Sequence, residues 1–182
     1  MKIHRLVAAG TALFIIAGCD GGSTLGPATP TTSHAARSSA LAAGSAGPVV
    51  TSGLFDALVD FSTLTLTPRG SNCLLQVKGR LVFHGAIEGV AVGQTTALVF
   101  GTCEDVASTP PGTDPDVFTS NLVFDGTVAG EPAHATVLYQ GQAQPGGHIS
   151  GHLIFANGVS GVLDAEAQVA VGGTYSGSLV VH

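Results

Sequence analysis

Two histidines four residues apart, His148 and His152, have the residue type of a metal-binding pair. They lie in a segment of alternating apolar and polar residues, which is typical of a β-strand. On a strand they would share a face but lie about 13 Å apart, because each residue advances the chain by roughly 3.3 Å. Zinc ligands must each lie about 2 Å from the metal. We therefore interpret both as solvated histidines on the polar strand face, and we predict no metal site.

Four carboxylates flank a proline-rich loop over residues 109–115, namely Glu104, Asp105, Asp114 and Asp116. Oxygen-rich loops can bind calcium, but this spacing fits no EF-hand template. We therefore expect a solvated acidic loop, which is long enough to act as a lid over one end of the folded domain.

The apolar positions that we assign to the interior contain no carboxylate and no imidazole, whereas acid–base catalysis needs a titratable group beside the substrate. No nucleophile elbow, phosphate loop, dinucleotide fingerprint or zinc-protease motif is present. We predict no catalytic residue and no cofactor. Tyr139 and Tyr175 are the inward polar side chains, and each is either a core aromatic or a polar handle near a rim. The residues from which we expect an apolar ligand site are Phe83, Phe124, Tyr139, Phe155 and Tyr175.

The N-terminus has the order of a secretory signal: Lys2 and Arg5 precede an apolar run from Leu6 to Ala17. The segment 16–19, Ile-Ala-Gly-Cys, resembles a lipobox, the signal of bacterial lipoproteins. That resemblance implies that residues 1–18 are a cleaved leader and that Cys19 is the lipidation site. An ordinary secretory leader is the alternative, and the apolar run is shorter than the roughly 20 residues of a spanning helix.

A lipidated Cys19 places the protein in the bacterial cell envelope, facing the periplasm or the exterior, with the membrane as a partner through the lipid alone. Without the leader, four basic residues oppose twelve acidic ones, which gives a formal charge of −8. This charge excludes the clustered cations that nucleic-acid binding needs. It also disfavours direct adsorption to an anionic bilayer.

Acylation of Cys19 would leave Cys73 and Cys103, which outside the cytoplasm are most simply a disulfide. Such a bond would contribute roughly 3–4 kcal/mol in the chain-entropy model. A metal or redox pair is the alternative, but it lacks the close Cys-x-x-Cys spacing. Residues 19–52 are rich in Gly, Ser, Thr, Ala and Pro, which predicts a flexible tether. The folded domain is then 53–182.

The folded domain has a strong period of two. From Cys73 to Ile87 the odd positions are apolar or glycine, whereas the even positions include Lys78, Arg80 and His84. This alternation predicts strands with one apolar face. It recurs to give about eight strands, over residues 55–67, 73–88, 95–103, 118–128, 133–142, 149–155, 159–171 and 175–181.

The connections predict consecutive antiparallel pairing. A three-residue loop at 156–158 would pair Phe155 with Val159, and a loop at 172–174 would pair Val171 with Tyr175. Eight such strands most economically close into an up-and-down barrel, which leaves no exposed edge. A β-sandwich is the alternative. Inward glycines such as Gly79 could leave a cavity or merely let the strands bend.

The glycine and turn spacing of the last sixty residues, as in Phe124-Asp125-Gly126-Thr127 and Gly173-Thr174-Tyr175-Ser176-Gly177, resembles small bacterial barrels of the allene-oxide-cyclase type. The resemblance implies a barrel fold and a largely uncharacterised group. The plant cyclases of this type act on an unsaturated fatty-acid epoxide inside the barrel.

Three hypotheses for function follow. The first is a non-enzymatic, lipid-anchored barrel that binds a small apolar ligand through a mouth near Tyr139 or Tyr175. The second is a cyclase or isomerase that acts on a lipid with a rim carboxylate such as Glu104 or Asp105. The third is a structural or interaction module of the envelope.

Overall fold

The computed structural model of the protein describes residues 47–182, in which eight strands and one short helix follow one another along the chain. The predicted leader, the predicted lipidation site Cys19 and most of the predicted tether lie outside the described residues. The elements are β1 Val49–Arg69, β2 Asn72–Gly85, β3 Ile87–Val99, α1 Cys103–Ser108, β4 Asp116–Val128, β5 Glu131–Ala143, β6 His148–Ala156, β7 Val159–Gln168 and β8 Gly172–Val181.

The eight strands form a closed antiparallel barrel in chain order. β1 pairs with β2 on one side and with β8 on the other, from Val49 opposite Leu179 to Asp56 opposite Gly172. Every strand therefore has two hydrogen-bonded neighbours, and no edge is left to template aggregation. The predicted eight-stranded barrel is confirmed, and the β-sandwich alternative is wrong.

β1 begins four residues before the predicted domain boundary at 53. The composition predicts a tether that includes residues 49–52, because they follow a stretch of small and polar residues. Residues 49–52 pair with β8, and the Thr51 side chain is fully buried.

Two predicted hairpin registers are wrong. Phe155 pairs with Gly161 instead of Val159. Asn157 and Gly158 both adopt positive φ, 63° and 106°, and the pairing of Phe155 with Gly161 centres the turn on Gly158. Tyr175 pairs with Ala165 instead of Val171.

The last hairpin turn lies at Val169–Val171, not at the double glycine that follows. Gly172 and Gly173 instead lie where strands approach closely. A Cβ on Gly173 would lie 2.0 Å from the carbonyl oxygen of Glu166. The predicted strand 73–88 is also interrupted, at Ala86, where the chain turns from β2 into β3.

The disulfide between Cys73 and Cys103 is confirmed, with Cα atoms 4.9 Å apart. Cys103 begins α1, however, whereas the alternation had predicted that it ends a strand. Thr102 caps this six-residue helix: its Oγ1 accepts a hydrogen bond from the Asp105 amide at 3.2 Å. The Cys73–Cys103 disulfide therefore fastens the β3–β4 connection to the start of β2.

No helix within residues 47–182 is long and apolar enough to cross a bilayer.

Candidate functional site

The end of the barrel opposite α1 is filled by aromatic side chains. Phe83 contacts Phe124, Phe155 and Tyr175, with ring centroids 5.6–6.3 Å apart in mostly edge-to-face geometry. These four residues were predicted to line a ligand site, but they pack against one another, and none of them lines the cavity described below.

The Tyr175 hydroxyl fixes this filled end. It accepts a hydrogen bond from the Ile87 amide at 2.8 Å and donates to the His84 carbonyl, which lies 3.1 Å away. Both partners belong to the β2–β3 turn, so one phenol satisfies backbone groups that the apolar interior would otherwise leave unpaired. Of the two mouths predicted, the one near Tyr175 is therefore closed by packing and hydrogen bonds.

A cavity of about 210 Å³ lies at the other end of the barrel. We call it the lid-end cavity. Tyr139 is the one predicted ligand residue that lines it. Its apolar wall comes from β2, β3, β4 and β6, through Leu75, Val77, Leu81, Ala97, Val99, Phe118, Leu122 and Ile149.

The cavity is covered by residues 103–115, which comprise α1 and the proline-rich loop and which we call the lid. Val106 and residues 109–114 face the cavity. The Gly146 amide in the β5–β6 turn donates to the Gly112 carbonyl at 2.9 Å, and the Phe100 amide donates to the Pro115 carbonyl at 2.9 Å. These two hydrogen bonds and the disulfide hold the predicted lid across the barrel mouth.

Tyr139 brings a polar group without a partner into this apolar environment. Its side chain is 5% exposed, and its hydroxyl has no hydrogen-bond partner among the described residues. Burial raises the pKa of Tyr139, and the negative charge of Glu166 adds to the rise, so the phenol stays neutral. Since leaving a buried hydroxyl unpaired costs about 1–3 kcal/mol, a ligand that supplies a partner gains that difference.

A second polar group in the wall is already satisfied within the protein. Ser120 faces Thr95 across β3 and β4, and their hydroxyl oxygens are 2.7 Å apart. Ser120 is also the cross-strand neighbour of Tyr139 on β5. Three hydroxyl-bearing residues thus share one level of the barrel, and of these Tyr139 is the one with an unmatched hydroxyl.

Asp116 lies in the cavity wall, whereas the sequence had placed it in a solvated acidic loop. It is the first residue of β4, opposite Val99 and Ala143, and its side chain is half-buried. This burial raises the pKa of Asp116 from 3.8 to about 6. The prediction of an inner wall without carboxylates is therefore wrong at this position.

The two rim carboxylates that we considered for catalysis lie elsewhere. Glu104 and Asp105 are exposed in the first turn of α1 and do not line the cavity. The Asp105 carboxylate accepts a hydrogen bond from the Thr102 hydroxyl at 2.7 Å, so its position is explained by helix capping.

The histidines face solvent, as predicted for the polar strand face. Nε2 of His148 lies 3.0 Å from a Glu166 oxygen, and Nδ1 of His152 lies 3.0 Å from an Asp164 oxygen. The alternation pattern alone does not predict these contacts between β6 and β7. Within residues 47–182, no cluster of three or more His, Cys, Asp or Glu side chains has the arrangement of a metal site.

Sequence and structure comparisons with known proteins assign no function to this site. No protein-family model and no curated protein matches the sequence. The chain is similar to the crystal structure of a protein of unknown function from the DUF3224 family of Shewanella oneidensis MR-1. That similarity has a TM-score of 0.49 and 15% identity, and it covers 75% of this chain and 98% of the other. It assigns no activity, and the resemblance to allene-oxide-cyclase barrels stays a prediction.

Replacing Asp116 with Asn should stabilise the protein at neutral and alkaline pH. Because burial raises the pKa of Asp116 to about 6, the folded state holds a proton that the unfolded state loses between pH 3.8 and 6. Folding stability therefore falls as the pH rises through this window. After allowance for partial exposure of the carboxyl group, we expect Asp116→Asn to gain about 1 kcal/mol at about pH 8. The gain should vanish near pH 4.

Urea unfolding of the full chain at the two pH values measures this difference. Asp125→Asn, the same change at an exposed position of β4, is the matched control. A gain that is equal at both pH values, or a loss of stability at pH 8, would contradict the assignment.

Proposed function

We propose that the protein is an envelope-anchored, non-enzymatic binding protein that takes up one small apolar ligand in the lid-end cavity. The single observation that supports this most is an apolar space of about 210 Å³ beneath a fastened lid. Apolar cavities of roughly 150 Å³ stay dry and bind benzene. A ligand somewhat larger than benzene therefore matches the space.

The unpartnered Tyr139 hydroxyl indicates what kind of small ligand fits best. A purely hydrocarbon ligand would leave this buried phenol without a partner. A ligand with one hydroxyl or carbonyl group on an apolar body can both fill the space and satisfy Tyr139. We therefore propose a mainly apolar ligand that carries an uncharged polar group at the level of Tyr139.

The cyclase or isomerase alternative now depends on a different residue. If the resemblance to allene-oxide-cyclase barrels implies chemistry here, Asp116 is the carboxylate placed to transfer a proton, because it lines the cavity and its pKa is near 6. Binding is better supported, since an apolar wall and an unmatched hydroxyl need only a bound ligand as explanation. A purely structural role would leave the cavity unexplained.

We propose that the barrel is held at the membrane by lipid on Cys19. The support is the order of residues 2–19: a positive start, an apolar run, and small residues before the cysteine. A disulfide between Cys73 and Cys103 fits a compartment outside the cytoplasm.

Filling the cavity should weaken ligand binding. 2-Naphthol has the required size and a single hydroxyl, and its fluorescence can be followed directly because the chain has no tryptophan. In the full chain carrying Cys19→Ser, we expect Val99→Phe, at a wall position 5% exposed, to weaken 2-naphthol binding at least about tenfold, since the added ring occupies the space.

Val123→Phe is the matched control, because it makes the same change on the neighbouring strand β4 at a residue that is 50% exposed and does not line the cavity. It should bind 2-naphthol like the parent. Absence of saturable binding by the parent, or an equal loss in both variants, would rule out the lid-end cavity as a ligand site.

The anchor makes a separate prediction. When the full chain is expressed in bacteria fed an alkyne-tagged palmitate, the tag should appear on the parent protein and be lost in Cys19→Ser. Cys73→Ser is the matched control, because it removes another cysteine without touching the lipobox-like segment. Label that persists in Cys19→Ser would show that the proposed anchor is wrong.

A further inference from the structure

The wall of the barrel is interrupted on one side, between β1 and β2. Asp60 pairs with Lys78 and Thr65 pairs with Gln76, so residues 61–64 of β1 face Val77 alone. The interruption is ordered: the Thr63 hydroxyl accepts from the Lys78 amide at 2.8 Å, and the Ser62 amide donates to the Asp60 carboxylate at 3.1 Å. We call residues 61–64 the β1 bulge.

The lid-end cavity reaches the outer surface at this bulge. On β3, β4 and β5, the residues that line it all have side chains directed into the barrel. On β1 and β2 the lining also includes Leu58, Lys78 and Arg80, which alternate with the inward positions and are exposed. Phe61 and Leu64 of the bulge line the same space. The cavity therefore extends past the wall of the barrel beside the bulge.

The outer end of this passage is positively charged in a protein that is otherwise acidic. The described residues include three Lys or Arg side chains, Arg69, Lys78 and Arg80, and two of them line the cavity. None of the ion pairs among residues 47–182 includes Lys78 or Arg80. Asp60 lies across from Lys78, and its Oδ1 accepts hydrogen bonds from Ser62, so Lys78, Arg80 and Asp60 together have a formal charge of +1.

Arg80 also has apolar neighbours on both sides. Its cross-strand partners are Leu58 on β1 and Val92 on β3, which are 45% and 56% exposed. At such a place one ligand can lay its apolar chain on the aliphatic side chains while its anionic group contacts the cation. At the lid, in contrast, Asp114 and Asp116 line the cavity and would repel an anion.

We infer that the β1 bulge is the access route to the cavity and that Lys78 and Arg80 bind the anionic headgroup of an amphiphile whose short apolar chain fills the lid-end cavity. A carboxylate, a sulfate or a phosphate supplies the same chemistry. The inference rests on the proposed function and adds a charged headgroup outside the cavity to the uncharged polar group that Tyr139 requires within it.

The test compares octanoate with 1-octanol, which share the chain and differ in headgroup charge. In the full chain carrying Cys19→Ser, calorimetric titration at low ionic strength should give octanoate an affinity at least about fivefold higher than that of 1-octanol. Such a ratio is the scale expected for two exposed charge contacts, and added salt should reduce it.

Lys78→Gln with Arg80→Gln should bring the affinity ratio close to one. Arg69→Gln, which removes the third cation at a position outside the cavity lining, should leave the ratio as in the parent. Equal binding of octanoate and 1-octanol by the parent, or an unchanged ratio in the double variant, would overturn the headgroup site while leaving the cavity as a ligand site. Failure of both compounds and of 2-naphthol to bind would overturn the proposed function as well.

Discussion

The architecture depends on how one end of the barrel is filled. The Tyr175 hydroxyl joins β8 to the β2–β3 turn through its hydrogen bonds with Ile87 and His84. Its ring contacts Phe83, which in turn contacts Phe124 and Phe155. Such edge-to-face pairs contribute about 0.5–1.5 kcal/mol each beyond the burial of their area. Because these side chains consume the interior volume at that end, any remaining space must lie at the other.

The opposite end is closed by different means. There, smaller wall residues such as Ala97 and Val99 leave a cavity, and a segment of chain covers it. The Cys73–Cys103 disulfide and the Gly146–Gly112 hydrogen bond fasten that segment on opposite sides of the mouth. An interior of eight strands can hold side chains or one small ligand, and this barrel divides the two roles between its ends. The half-buried Asp116 and the unmatched Tyr139 hydroxyl both lie at the end that contains the cavity.

The alternation of apolar and polar residues predicted which side chains face inward. A register error of an even number of residues leaves inward positions inward. Phe155 and Val159 are both buried although they do not pair. The double glycine at 172–173 misled the prediction of the last turn, since glycine marks close strand approach as readily as a turn. A Cβ on Gly172 would clash with the backbone oxygen of Phe55 on β1, which is far away in the sequence, and a local pattern does not contain that contact.

The site was predictable only in part, for a related reason. Whether a side chain points inward follows from its odd or even position along the strand. Its level along the barrel axis depends instead on strand tilt and stagger. Phe83, Phe124, Phe155 and Tyr175 are inward yet lie at the filled level, whereas Tyr139 lies at the cavity. Asp116 begins a strand directly after a proline-rich loop, so its sequence context is that of a solvated carboxylate. Its burial follows from the lid, which the alternation does not describe.

The central claim is that the empty volume lies beneath the lid and that the aromatic end is filled. Diffraction from crystals of the Cys19→Ser chain under xenon pressure tests it directly, because xenon occupies apolar cavities without needing a polar partner. We predict xenon density bounded by Leu75, Ala97 and Phe118. Density among Phe83, Phe124 and Phe155 instead, or none in the lid-end cavity, would contradict the account.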